Sequence, residues 1–223
     1  GITDNTLVIF INDNGGAKNN GTVNTPLRDW KGSPFEGGIR IPMILAGAGI
    51  APEKRGETYT APVHTIDLAA TAVIAGGGNL DNNDLIDGIN LLPYINNEKA
   101  GIPHQYIIMR SAAEIGIRHE NWKLARNGRY QPYQLFDLNT DISETTDIST
   151  NNPQLVTTLL EQLTRFEAGV YKPRFPGLNQ PENSINRFDH FRFFPSPANA
   201  LPTGGVNLLE NPGFEDASTI DAD

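Results

Sequence analysis

The chain has 223 residues, 38% hydrophobic and 19% charged, which is enough apolar material for a sizeable core and too little charge for a disordered chain. Its net charge of −9, from 26 acidic against 17 basic residues, argues against a hold on a phosphate backbone, so no nucleic-acid partner is expected. There is no cysteine, which excludes disulfides, thiolate metal sites and a cysteine nucleophile; the longest apolar runs fall far short of the ~20 residues of a membrane helix, so no membrane partner is expected either.

Residues 6–11 form an unbroken, β-branched-rich apolar run that predicts a strand buried on both faces in a parallel or mixed sheet. Asn12-Asp13-Asn14-Gly15-Gly16 ends it with turn-forming residues, at the strand edge where α/β sheets bind ligands. A loop rich in Asn, Gly and Thr follows to about Gly38, and Ile39 to Leu45 predicts a second short strand whose Pro42 suits an edge or a strand start. Ile66, Ala69, Ala70, Val73 and Ile74 recur at helical spacing, and Gly76-Gly77-Gly78 stops that helix.

From Tyr106 to Leu138 short alternating segments, with an Asn127-Gly128 turn signal, predict a small antiparallel sheet. Asn152 and Pro153 sit as cap and first residue before Leu155, Val156, Leu159, Leu160, Leu163 and Phe166, an amphipathic stripe expected to cover that sheet. Beyond Tyr171, prolines interleave with phenylalanines, which predicts an extended arm or a linker.

Asp13 and Asn14 are candidate metal ligands, because a carboxylate and a carboxamide oxygen are hard donors suited to Ca²⁺ or Mg²⁺ and Gly15-Gly16 lets the backbone turn both to one side. On spacing alone the plain-turn reading of this cluster wins over the metal-ligand one, and two residues fall short of the six to eight oxygens Ca²⁺ takes. Lys31 could meet an anionic substrate if a pocket surrounds it, and is otherwise a solvated surface lysine. Glu36 and Arg40 could form an internal pair that fixes the loop. The four histidines, 64, 104, 119 and 190, show no metal-binding spacing and read as incidental.

Taken together, Asn5-Thr6-Leu7-Val8-Ile9-Phe10, Asp13-Asn14-Gly15-Gly16, Pro26-Leu27-Arg28, Lys31-Gly32 and Glu36-Gly37-Gly38-Ile39-Arg40-Ile41-Pro42 resemble the second half of a formylglycine-dependent sulfatase. Thr65-Ile66-Asp67-Leu68, Asp87-Gly88-Ile89-Asn90-Leu91-Leu92-Pro93, Asn121-Trp122-Lys123-Leu124 and Leu135-Phe136-Asp137-Leu138 continue the resemblance to about residue 165. It implies an α/β fold of the alkaline phosphatase superfamily: part of the mixed central sheet, followed by a small C-terminal antiparallel sheet packed by a helix. It also implies that Asp13 and Asn14 are ligands of a Ca²⁺ ion and that Lys31 is a catalytic residue contacting the sulfate of a sulfated small molecule or polysaccharide.

The family's nucleophile lies in a Cys- or Ser-x-Pro-x-Arg segment, and no residue of this chain begins one. The chain is therefore expected to be a C-terminal portion, inactive alone, whose partner is the missing N-terminal half. The expected divisions are 1–105, part of the catalytic domain; 106–170, the small sheet with its helix; 171–205, the arm or linker; and 206–223, which is similar to the opening of a carbohydrate-binding β-sandwich module. A phosphoester or phosphonate hydrolase fragment of the same superfamily and a noncatalytic association module are the alternatives. A homo-oligomer is expected from strand faces left bare. The resemblance implies a periplasmic or secreted location.

Overall fold

The computed structural model describes residues 2–80, 86–111 and 113–170, so the predicted arm at 171–205 and the module at 206–223 lie outside the described residues. The first predicted strand forms as β1, Leu7–Ile11, and pairs antiparallel with β2, Met43–Gly47, setting Ile9 opposite Leu45 and Phe10 opposite Ile44. Leu7, Ile9 and Ile11 are half-buried, but Val8, Phe10 and Ile44 are 55%, 58% and 58% exposed. The strand is apolar on both faces as its sequence requires, yet among the described residues only one face is covered. The second strand begins later than its hydrophobic run suggests. Glu36–Ile39 coil into a single helical turn, α1, closed by the Arg40 N–H donating to the Glu36 carbonyl at 2.8 Å, and the strand resumes just after Pro42.

The predicted helix is α2, Asp67–Ala75. Its start is fixed reciprocally: the Asp67 carboxylate accepts the His64 N–H at 2.8 Å while the Asp67 N–H donates to the His64 carbonyl at 3.0 Å. At its end, Gly77 takes a left-handed φ of +81°. A short helix α3, Leu92–Ile95, is tied back to α2 by the Leu91 N–H, which donates to Thr71 Oγ1.

Four strands, β3 Ile107–Ser111, β4 Glu114–His119, β5 Trp122–Arg126 and β6 Gln134–Asp137, pair in chain order as an antiparallel meander. Asn127 and Gly128 lie between β5 and β6, within a loop longer than a two-residue turn. Strand parity divides the sheet. Ile115, Ile117, Leu124 and Leu135 pack against Leu159 and Leu163 of α4, Pro153–Gly169, which starts at the predicted proline. Each such fully buried aliphatic side chain contributes about 1.5–3 kcal/mol. Ala125 and Phe136 pack instead with Phe35 and Leu138, so the sheet's second face sits on the residues that lead into α1. Among the described residues no helix is long and apolar enough to cross a membrane.

Candidate active-site cleft

A cleft of about 1460 Å³ is lined by Asp13, Asn14, Lys31, Glu36, Arg40 and Arg118, among others. The three residues singled out in the sequence thus line one cleft. Backbone hydrogen bonds hold them there: the Gly15 N–H donates to the Gly38 carbonyl at 2.9 Å, and the Lys31 N–H donates to the Gly16 carbonyl at 3.1 Å. The Asn24 amide braces the same loop, accepting from the Gly16 N–H and donating to the carbonyls of Gly16 and Asp29.

The glycines are required by crowding. A Cβ on Gly15 would run into the Gly37 carbonyl oxygen, and one on Gly37 would run into the carbonyl oxygens of Arg28 and Asp29. Lys31 is exposed on the cleft wall and its ammonium has no carboxylate partner among the described residues.

Behind the loop lies a buried charge cluster. Lys123 on β5 is fully buried, with Nζ 2.8 Å from Glu36 Oε1 and 2.8 Å from Glu144 Oε1. The contact to Glu144 is an ion pair; among the described residues Oε1 of Glu144 has no aligned hydrogen-bond partner. Glu144 Oε2 accepts the Glu36 N–H at 2.6 Å. Glu36 Oε2 faces Arg40 Nη1 at 3.3 Å and Arg118 Nη1 at 3.9 Å. Burial pushes the Glu36 carboxyl up, but Lys123, Arg118 and Arg40 together outweigh it and hold it below the ordinary carboxylate value. Burial raises Glu144, and Lys123 does not fully offset it with Glu36 so near. The expected Glu36–Arg40 pair is present, as one edge of this larger cluster.

Residues 1–78 match the sulfatase family. A sulfatase of Formosa agariphila is 30% identical over 194 residues, which is 79% of this chain and 35% of that protein. A choline-sulfatase of Rhizobium meliloti is 31% identical over 156 residues, 66% of this chain and 28% of that protein. The crystal structure of Ps i-CgsB in complex with k-i-k-neocarrahexaose superposes with a TM-score of 0.64 at 33% identity, over 74% of this chain and 37% of that one. The chain spans about a third of the length of these relatives. Its architecture is part of the alkaline-phosphatase-like sulfatase fold.

In this sulfatase framework the donor chemistry of Asp13 and Asn14 fits a hard cation. Asp13 Oδ1 accepts the Asn14 N–H at 2.9 Å and Asn14 Nδ2 donates to the Gly15 carbonyl at 2.9 Å, which leaves Asp13 Oδ2 and Asn14 Oδ1 without hydrogen-bond partners among the described residues. Among those residues no three His, Asp or Glu side chains gather as a metal site, so these oxygens would be part of a shell and not the whole of it.

One sequence reading changes. His104 is not incidental: its Nε2 lies 2.8 and 2.9 Å from the two oxygens of fully buried Asp67, which also accepts the N–H groups of His64 and Ile89. That arrangement anchors α2, and His64 lines the cleft. Burial lowers the His64 imidazole below its ordinary value, against the pull of Asp67.

Proposed function

We propose that this chain supplies the calcium- and sulfate-contacting part of a sulfatase acting on sulfated carbohydrates, and that alone it does not turn substrate over. The observation that carries the reading is the shared cleft: two hard oxygens at Asp13 and Asn14 and an ammonium at Lys31 with no carboxylate partner among the described residues, on one hydrogen-bonded loop. Asp13 and Asn14 would hold Ca²⁺, whose chemistry when bound is Lewis-acid polarisation of sulfate oxygens. Lys31 would donate to a sulfate oxygen and stabilise the negative charge that grows on it as the ester bond breaks. No residue of the chain begins the nucleophile segment of the family, so the attack on sulfur has no agent here. The complex of the similar Ps i-CgsB with k-i-k-neocarrahexaose supports a carbohydrate ester as the substrate class.

Two measurements test this. With Ca²⁺ present, glucose 6-sulfate at millimolar concentration shifts the NMR resonances of Lys31 and its loop, glucose does not, and Lys31→Ala removes the response; an equal response to both sugars overturns the assignment. In a parallel assay 4-nitrophenyl sulfate is not hydrolysed by the purified chain, and Lys31-dependent turnover would refute inactivity.

The open face of β1 and β2 supports self-association, because Val8, Phe10 and Ile44 form an exposed apolar stripe beside strand edges that are unpaired among the described residues. Light scattering is expected to show an oligomer that Phe10→Lys dissociates; a wild-type monomer at high concentration rejects it.

A further inference from the structure

Lys123 stands apart from the rest of its surroundings. Its neighbours on the same face of the sheet are Arg118 and Phe136, directly opposite it on β4 and β6, and Ala125; beside the apolar packing of Ala125 and Phe136 on Phe35 it draws two carboxylates in with it. Replacing a buried ion pair with apolar groups is often neutral for stability, so stability alone does not account for the trio. Its connections do.

Glu144 joins Lys123 to the cleft loop twice. Its carboxylate accepts the Glu36 N–H, and its backbone carbonyl accepts from Arg28 Nη1 at 2.8 Å. To aim both groups at the loop, Glu144 adopts φ +51°, in the left-handed region that a non-glycine residue rarely occupies. Arg28 in turn receives the Gly37 N–H on its carbonyl at 2.7 Å, and Gly38 receives the Gly15 N–H. A short run of polar contacts thus leads from β5 to the residue beside Asn14, and by the Lys31 N–H to Gly16 bond it includes Lys31.

We infer that Lys123 and Glu144 are positioning residues: a buried charge lock through which the C-terminal sheet sets the loop bearing Asp13, Asn14 and Lys31. The inference rests on the proposed function only for what that loop does, and its test is independent of activity. In the lock, the ammonium balances both carboxylates, and the carboxylate of Glu144 is then free to grip the Glu36 N–H. Removing the ammonium leaves the buried Glu144 carboxylate without its cation beside Glu36, which keeps Arg40 and Arg118, and opens the loop, while the apolar core under α4 stays closed.

The test is amide hydrogen exchange read residue by residue on the full chain. In Lys123→Met the amides of Gly15, Lys31 and Gly37 are expected to exchange about 100-fold faster, with those of Ile117 and Leu124 in the sheet unchanged. Adding Glu144→Gln removes the stranded charge while keeping an acceptor for the Glu36 N–H, and should restore at least about tenfold of the lost protection. A uniform rise across loop and sheet, or a double variant no better protected than the single one, overturns the inference. If Lys123→Met does not fold, Glu144→Gln alone decides: loop exchange about tenfold faster over an unchanged sheet supports the lock, and unchanged loop exchange rejects it. The glucose 6-sulfate response of the unaltered chain tests the sulfatase reading separately.

Discussion

Gly37→Ala is expected to lower the thermal midpoint by roughly 6–12 °C, corresponding to a loss near the upper end of the ~1–3 kcal/mol range for overpacking. The added methyl would occupy space already filled by the carbonyl oxygens of Arg28 and Asp29, and neither has freedom to retreat. The Arg28 carbonyl accepts the Gly37 N–H itself, the Asp29 carbonyl accepts from Asn24, and Asp29 already holds φ +66°. Relief requires the 28–31 segment to separate from α1, which carries Lys31 away from Gly16. Gly169→Ala is the comparison, since among the described residues nothing beyond its own chain neighbours lies within 4 Å of a Cβ there, at the end of α4, and it should leave the midpoint unchanged or slightly raised. Differential scanning calorimetry on both variants decides; a Gly37→Ala midpoint equal to that of the unaltered chain would show that the loop is soft, contrary to its crowding.

The same loop marks where sequence reasoning reaches and where it stops. That Asp13, Asn14 and Lys31 line one cleft was legible because each carries chemistry in a segment whose turn residues are themselves a signal, and all three lie within a short stretch of chain. The strands and α4 were legible because their apolar spacing follows from the side of the sheet each residue must face. Lys123, Glu144 and Arg118 were not picked out. Their partner Glu36 lies 87 residues from Lys123 and 108 from Glu144, and strand parity states which face Lys123 is on without naming what waits there. The signal available was a lysine set in the strand Trp122-Lys123-Leu124-Ala125, on the opposite face from a leucine that must be buried. The one-turn α1 escaped because Ile39 to Leu45 is apolar enough to read as strand, and only the hydrogen bond from Arg40 to Glu36 turns its beginning into helix.

Phe35→Ala should be the most damaging single truncation at the junction of loop and sheet. Its ring is 1% exposed, meets Phe136 edge-on with centroids 6.0 Å apart and planes at 75°, and has the Arg28 guanidinium 3.7 Å above its centre. Truncating a buried phenylalanine costs about 3–5 kcal/mol, a midpoint drop of roughly 6–20 °C for a chain of this size. Two further losses act in the same direction here. The Arg28 guanidinium, which donates to the Glu144 carbonyl, loses the aromatic face that holds its plane, and Phe136 of β6 loses its edge-on ring partner. Leu159→Ala provides the contrast: it opens a cavity on the other face of the sheet, at about 2–5 kcal/mol, with no part in the loop. The two variants are therefore expected to show comparable global destabilisation, but only Phe35→Ala should abolish the glucose 6-sulfate response at temperatures where far-ultraviolet circular dichroism remains native. If Leu159→Ala removes that response equally while folded, the face of the sheet turned toward α1 has no special hold on the cleft, and the route from the C-terminal sheet to Lys31 must be abandoned.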